Sequence, residues 1–188
     1  MRKNLNQRVG GWIIASLALL LLAPVLAAVA PTVKWATPAA LTYGEPLGAA
    51  QLNATSSVAG DFVYFPRAGT FFNSGTQQLV AIFFPKNNAN YSAVSNTVTL
   101  LVNRAKLSLS VNDTSRVQGV DNPQFIGKIE GLVRGDSVKV KYVTKAQKNS
   151  PAGGYSIVPV CESSGMCLHN YSVNLNIGQL TITKTNPR

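Results

Sequence analysis

The feature that most constrains the fold is a short sequence that occurs twice, once in each half of the 188-residue chain. Asn-Tyr-Ser stands at 90–92 and again at 170–172, and each copy leads into a final apolar strand pattern. A glycine turn and a longer strand pattern precede each copy, starting at Gly75 in the first half and at Gly153-Gly154 in the second. Repetition of one supersecondary plan predicts two β modules in tandem.

The sequence around these repeats has the pattern of short strands and turns. After residue 30, apolar residues alternate with polar ones, and Gly, Pro, Asn and Ser interrupt the runs. We therefore predict an all-β chain of two modules, each a small β-sandwich or a small barrel, over 31–103 and 104–188. The link at 102–107 contains no Gly or Pro, which predicts little swing between the modules. The run TQQLVAIFFP at 76–85 is apolar on both faces and is therefore predicted to be buried on both sides.

The first thirty residues have the order of parts of a secretory signal peptide. A basic start precedes an uncharged run at 9–33, and the small residues that end it offer cleavage after Ala27 or Ala30. An uncleaved anchor is the alternative, because the uncharged run is long enough to span a bilayer. Pro24 interrupts the apolar stretch, which favours cleavage. We predict a signal helix over 1–30 and an exported protein, whether secreted, periplasmic or at the cell surface, that meets the membrane only if this segment stays uncleaved.

The charge is strongly positive and unevenly distributed. The chain has a formal net charge of +10, and residues 104–188 hold eleven basic and five acidic residues against three and two in 31–103. This excess predicts polymers or proteins of the cell envelope or host surface as partners, and no nucleic acid, since aromatic residues do not interleave with the basic ones. The alternative is a solvated strand face. The candidate basic stripe consists of Lys128, Arg134, Lys139, Lys141, Lys145 and Lys148.

The two cysteines, Cys161 and Cys167, flank a Ser-Gly turn in CESSGMC. In an exported chain this spacing predicts a local disulfide, which would stabilise the fold by about 2 kcal/mol. His169 is the only histidine, and a zinc site needs more ligands than His169 and the two cysteines supply, so we predict no zinc site and no cofactor.

One short motif and one set of scattered polar residues are candidates for binding. Arg134-Gly135-Asp136 spells the tripeptide that integrins recognise, although GLVxGD is also a turn that the fold needs. A calcium site is a second candidate if the turns bring oxygen ligands together, but the spacing matches no calcium loop, and Asx turns are the simpler explanation. The candidate calcium ligands are Asp113, Asp121, Asn122 and Asp136.

No catalytic motif is present in the sequence. His169 lies near Ser163 and Ser164, yet there is no G-x-S-x-G elbow and no acid placed by motif to orient the histidine. We therefore predict a protein that is not an enzyme. Four aromatic residues are candidates for a sugar site, with core packing as the default explanation: Trp35, Tyr64, Phe71 and Phe72.

The second module resembles the MBG family of YGX type from Lys106 to Lys184. The resemblance rests on the ordered segments NDTSRVQGVDNPQF, GLVRGDSV, SPAGGYSIVP, NYSVNL and GQLTITK. The module departs from the family at Gln118-Gly119, where Tyr-Gly is usual. The first module resembles the Ig-like repeats found beside such domains, and there the pair Tyr43-Gly44 is present.

This resemblance implies a bacterial extracellular β scaffold of the kind found in adhesin-like surface proteins, and it implies no activity. We therefore predict an exported, non-catalytic surface or adhesin-like module pair with a structural or binding role. The alternative is a secreted, lectin-like protein that binds a polysaccharide or another polymer. A small secreted hydrolase or inhibitor is the third possibility.

Overall fold

The computed structural model describes residues 28–133, 135–162 and 168–185. Every secondary-structure element assigned within these residues is a β-strand. The strands before Arg104 are β1 (Val33–Lys34), β2 (Leu41–Thr42), β3 (Thr55–Ser56), β4 (Gly60–Phe65), β5 (Gly75–Pro85) and β6 (Val94–Asn103). The strands after it are β7 (Ala105–Val111), β8 (Thr114–Val117), β9 (Gly127–Glu130), β10 (Val140–Thr144), β11 (Gly153–Cys161), β12 (Tyr171–Asn176) and β13 (Gly178–Thr183).

The region predicted to form the first module, 31–103, contains a four-stranded sheet in the order β2-β6-β5-β4 and a two-stranded sheet of β1 and β3. Leu79 of β5 and Leu100 of β6 point from the larger sheet into a core that also contains Trp35, which follows β1 directly. Each fully buried leucine of this kind contributes about 1.5–3 kcal/mol to folding. The two sheets of the first module therefore share one core.

The second module, residues 104–188, is built from a four-stranded sheet in the order β10-β11-β13-β8 and a three-stranded sheet in the order β12-β7-β9. Val111 of β7 packs with Ile157 of β11 and Leu180 of β13, so side chains of both sheets meet in one core. The all-β class and the small β-sandwich architecture predicted from the sequence are confirmed. The predicted signal helix lies outside the described residues.

The two modules repeat the same strand pairings. β2 runs parallel to the end of β6, and Tyr43 N donates to Asn103 O at 2.8 Å; β8 runs parallel to β13, and Gln118 N donates to Thr183 O at 2.9 Å. By this correspondence the Tyr43-Gly44 corner of the first module is equivalent to the Gln118-Gly119 corner of the second.

The beginnings of the modules correspond in the same way. Val29 forms a parallel bridge with Tyr91, and Val29 N donates to Asn90 O at 2.8 Å. In the second module β7 runs parallel to β12, and Ala105 N donates to Asn170 O at 2.9 Å. In both copies of Asn-Tyr-Ser, the backbone oxygen of the Asn therefore accepts from a residue that precedes the rest of the module.

One prediction about burial is wrong. Leu79, Ala81 and Phe83 of β5 are buried on the inner face, but Phe84 on the outer face is 49% exposed. Val80 and Ile82, also on the outer face, are only half-buried. The alternation along β5 therefore indicated the strand correctly, whereas no other element covers its second face within the described residues.

The link between the modules is short. β6 ends at Asn103 and β7 begins at Ala105, so Arg104 alone separates the strands.

In the described part of the chain, no helix is long and apolar enough to cross a membrane.

Candidate binding site at the module junction

The junction is organised by the corner that follows β2. Gly44 has a φ of 95°, a backbone conformation that glycine adopts without strain. A Cβ atom at this position would lie 2.8 Å from Cγ1 of Val133 in the second module. Glycine is thus required both for the turn and for the close approach of the two modules.

Two tyrosines from opposite sides of the junction bind one carboxylate. The Tyr43 hydroxyl donates to Asp136 Oδ2 at 3.0 Å and approaches Oδ1 at 3.2 Å, and the Tyr171 hydroxyl donates to Oδ2 at 2.5 Å. The two tyrosine rings meet edge to face, with centroids 5.5 Å apart. Val133 N donates to the Tyr171 hydroxyl at 2.9 Å, which fixes the same loop from its other end. A charged acceptor strengthens such hydrogen bonds.

The environment of Tyr171 favours its neutral form. Burial raises the pKa of Tyr171 from its ordinary value of 10.0 to about 12, and the hydrogen bond to Asp136 adds to the rise. The backbone hydrogen bond from Val133 acts in the opposite direction. Tyr171 therefore remains a hydrogen-bond donor to Asp136 at neutral pH.

A second set of hydrogen bonds crosses the junction through Asn170, which is buried with 9% of its surface exposed. Ser74 N donates to Asn170 Oδ1 at 2.8 Å, and Asn170 Nδ2 donates to Asn73 Oδ1 at 3.0 Å. The Ser74 hydroxyl donates to His169 O at 3.2 Å. The second copy of Asn-Tyr-Ser thus supplies a side chain to each network.

Two adjoining recesses lie at this junction, and Tyr43 lines both. The mainly apolar recess has a volume of about 380 Å³ and is lined by Tyr43, Gly44, Phe71 and Val133. The more polar recess has a volume of about 480 Å³ and is lined by Tyr43, Asn73, Gly135, Asp136, Ser137, His169 and Asn170. Such volumes are in the range of small-molecule binding sites, about 300–1,000 Å³. Both recesses take residues from both modules.

Two residues of the Arg-Gly-Asp motif, Gly135 and Asp136, are at this junction. Arg134 lies outside the described residues. Gly135 is exposed in a turn with a φ of 99°, and Asp136 is half-buried beneath the two tyrosines. Asp136 therefore has a structural role between the modules, and recognition of the motif by an integrin-like partner stays a prediction.

The candidate calcium ligands do not converge on one point. Each has its own neighbours: Asp113 accepts from Gln179 N, Asp121 pairs with Lys148, Asn122 accepts from Arg116, and Asp136 accepts from the two tyrosines. Among the described residues no group of three or more His, Cys, Asp or Glu is placed to hold a metal ion. The structure thus gives every candidate ligand a local structural partner.

The candidate basic stripe is divided between two sheets. Lys128 is on β9 of the three-stranded sheet, whereas Lys141 is on β10 of the opposed four-stranded sheet. Both side chains are exposed, and Lys148 forms an ion pair with Asp121 at 3.0 Å. The lysines therefore do not share one strand face, because outward faces of opposed sheets point in different directions.

Only one of the two cysteines of the predicted disulfide, Cys161, lies within the described residues. Cys161 ends β11 and is half-buried, and burial raises the pKa of its thiol. Cys167 lies outside the described residues, as do Ser163 and Ser164 of the intervening turn. The Cys161–Cys167 disulfide stays a prediction.

The aromatic candidates separate into core residues and one exposed residue. Trp35 is buried and donates to Gln51 O at 2.9 Å, and Tyr64 lies edge to face with Trp35 at 5.4 Å. Phe72 packs against the same core. Phe71 is 65% exposed and lines the apolar recess. Core packing explains the first three residues but not Phe71.

Sequence analysis did not identify Tyr43, Asn73 or Asn170 as residues of a binding site. Two signals pointed toward them. Tyr43 belongs to the Tyr-Gly pair, and Asn170 begins the second copy of Asn-Tyr-Ser. Neither signal indicates a cross-module contact, because Tyr43 and Asp136 are 93 residues apart in the chain.

The fold and the junction define a protein of two β-sandwich modules joined end to end. Residues 107–181 match the family model of the MBG domain (YGX type), which confirms the resemblance of the second module to that family. A search of the curated proteins finds no match. Among solved structures, the fibronectin(III)-like modules of CbhA from Clostridium thermocellum are similar at 8% identity and a TM-score of 0.31, over 84% of this chain and 98% of that chain.

Proposed function

We propose that this protein is an exported, non-catalytic surface protein whose two modules form one stiff, adhesin-like unit. The observation that supports this most directly is the junction, where two hydrogen-bond networks and a single intervening residue, Arg104, join the modules. A flexible pair would need neither the glycine at position 44 nor the buried amide of Asn170. The match to an MBG domain supports an extracellular location, and partners on the cell envelope or the host surface follow from that location.

The non-catalytic part of the proposal is supported by the contacts of the junction. His169 and Ser137 are exposed in the same recess as Asp136, which is the composition of a catalytic triad. In the described part of the chain, however, the Asp136 carboxylate receives tyrosine hydroxyls, and no hydrogen bond joins it to His169 or Ser137. A triad needs the histidine to be oriented by the acid, so this arrangement favours structure over turnover.

Small-angle X-ray scattering tests the proposed stiffness. We expect the wild-type protein to fit a single arrangement of the two modules. A double variant, Tyr43→Phe with Asn170→Ala, removes the Tyr43 donor from one network and the Asn170 donor and acceptor from the other, and it should broaden the distribution of interatomic distances. Tyr155→Phe is the matched control, because the Tyr155 hydroxyl binds Pro151 O within the second module. A wild-type profile that requires many arrangements would contradict the proposal.

Protease treatment of intact producing cells tests the location. A surface protein is degraded when protease is added outside the cell, whereas a protein retained inside resists until the cells are lysed. Recovery of the intact protein only from the cell interior would overturn the proposed export.

A further inference from the structure

We propose that the two recesses at the junction form one binding site for a segment of a neutral polysaccharide. This inference rests on the proposed function, because the site exists only while the modules hold their relative position. It adds the chemical class of the ligand and the residues that contact it. The site is assigned from three properties of the recesses, namely an exposed ring, convergent polar groups and the sign of the charge.

The exposed ring is that of Phe71. Its neighbour Phe72 packs into the core of the first module, so the backbone of this loop is anchored directly beside the exposed ring. Leu47 N donates to Thr70 O at 2.8 Å, and Gln77 Nε2 donates to Asn73 O at 3.3 Å, which fix the loop on both sides. Phe71 is thus a held aromatic surface at the mouth of an apolar recess. Pyranose rings present apolar C–H faces that pack on such a surface.

The polar groups converge next to that ring. Asn73 lines the polar recess, and its Oδ1 accepts from Asn170, while its amide also carries an Nδ2 donor. The Asp136 carboxylate receives the tyrosine hydroxyls but has further lone pairs for a sugar hydroxyl. Ser137 and His169 are exposed in the same recess and supply groups that both donate and accept. A ligand with an apolar face and a rim of hydroxyls satisfies this arrangement.

The charge of the site selects against acidic polymers. The described residues that line the two recesses include no Lys or Arg, and Asp136 is the one carboxylate among them. A negative carboxylate repels uronic acids, phosphates and sulfates at short range. The formal net charge of +10 therefore attracts anionic polymers to the molecule as a whole but not to this site. Binding at the junction should accordingly survive added salt, because it does not depend on charge attraction.

The test is a titration of the full-length protein, followed by two-dimensional NMR of its backbone amides. The neutral probes are cellohexaose, maltohexaose and chitohexaose, and the anionic probe is hexagalacturonate, each at low salt and at about 0.5 M salt. We expect at least one neutral probe to saturate, with the largest shifts at Phe71, Asn73 and Asp136, and with the same affinity at both salt concentrations.

Phe71→Ala and Phe84→Ala form a matched pair of variants. Both remove an exposed phenylalanine ring from the first module, but Phe84 lies on the outer face of β5, toward its far end from the junction. The Phe71 side chain takes part in neither hydrogen-bond network, so Phe71→Ala retains every hydrogen-bonding group of the two networks. We expect Phe71→Ala to weaken binding about tenfold or more and Phe84→Ala to change it less than about twofold.

Three results would overturn the inference. They are the absence of saturation with all three neutral probes, equal weakening by both variants, and binding of hexagalacturonate alone that disappears in high salt. Small-angle scattering of the same samples separates this inference from the proposed function. A stiff protein that binds none of the neutral probes refutes the polysaccharide site alone, whereas a flexible protein refutes the proposed function.

Discussion

At the scale of single residues, position 44 requires glycine for two reasons, its positive φ and its close approach to Val133. Mutations can separate these two effects. Gly44→Ala should destabilise the protein through a strained φ and through contact of the new Cβ with Val133. Gly69 has a similar φ of 86° but nothing within 4 Å of its Cβ position, so Gly69→Ala measures the backbone strain alone. We expect Gly44→Ala to cost about 1–3 kcal/mol more than Gly69→Ala in urea unfolding. Val133→Ala should recover part of that difference, and equal costs would show that the modules do not meet at this corner.

Tyr171 gives a prediction about alkaline pH. Its pKa in the folded protein is raised from 10.0 to about 12, so the folded state holds this proton more tightly than the unfolded state does. The resulting stability is complete below pH 10 and is lost as the pH rises toward 12. Tyr171→Phe lacks the titrating hydroxyl. The difference in unfolding free energy between the wild type and the variant should therefore shrink from pH 10 to pH 12, and a constant difference would refute the assignment.

At the scale of strands, the bridge between Val29 and Tyr91 bears on the predicted signal cleavage. Val29 in the first module corresponds to Ala105 in the second. Each donates its backbone N–H to the backbone oxygen of the Asn in its module's Asn-Tyr-Ser copy. Cleavage after Ala30 would remove Val29 and leave this pairing empty, whereas cleavage after Ala27 would keep it. We expect the mature protein to begin at Ala28. Intact-mass measurement of the exported protein decides between the two, and a mature chain that begins at Pro31 would contradict the expectation.

The strands were predicted well from sequence because their signal is local. Alternation at Leu107 and Leu109 indicated β7, and the apolar run at 76–85 indicated β5. The outer face of β5 was predicted to be buried and is not, because coverage of a face depends on distant elements and not on the strand itself. The same reason explains the lysines, whose alternation along the chain does not reveal that β9 and β10 belong to opposed sheets.

The binding site was largely hidden from sequence analysis. Phe71 was identified as a candidate sugar contact, and Asp136 was identified for a different reason, through the Arg-Gly-Asp motif. Phe71 and Asp136 line two recesses that share Tyr43, and both recesses lie where the Gly44 corner approaches Val133 of the other module. Composition and spacing describe each loop separately. They hold no information on which loops of different modules face each other.

At the scale of the whole molecule, the junction determines whether the two modules unfold together. Asn170 is buried between them, and its Oδ1 satisfies the backbone N–H of Ser74. Asn170→Ala leaves that donor without its partner, at a cost of about 1–3 kcal/mol, and Tyr43→Phe removes a donor to Asp136. We expect calorimetry to show one cooperative transition for the wild type and two for the double variant, because the modules lose the interactions that couple them. Tyr155→Phe should retain the single transition. Two transitions in the wild type would show instead that each sandwich is stable alone, and that the junction only orients modules that fold independently.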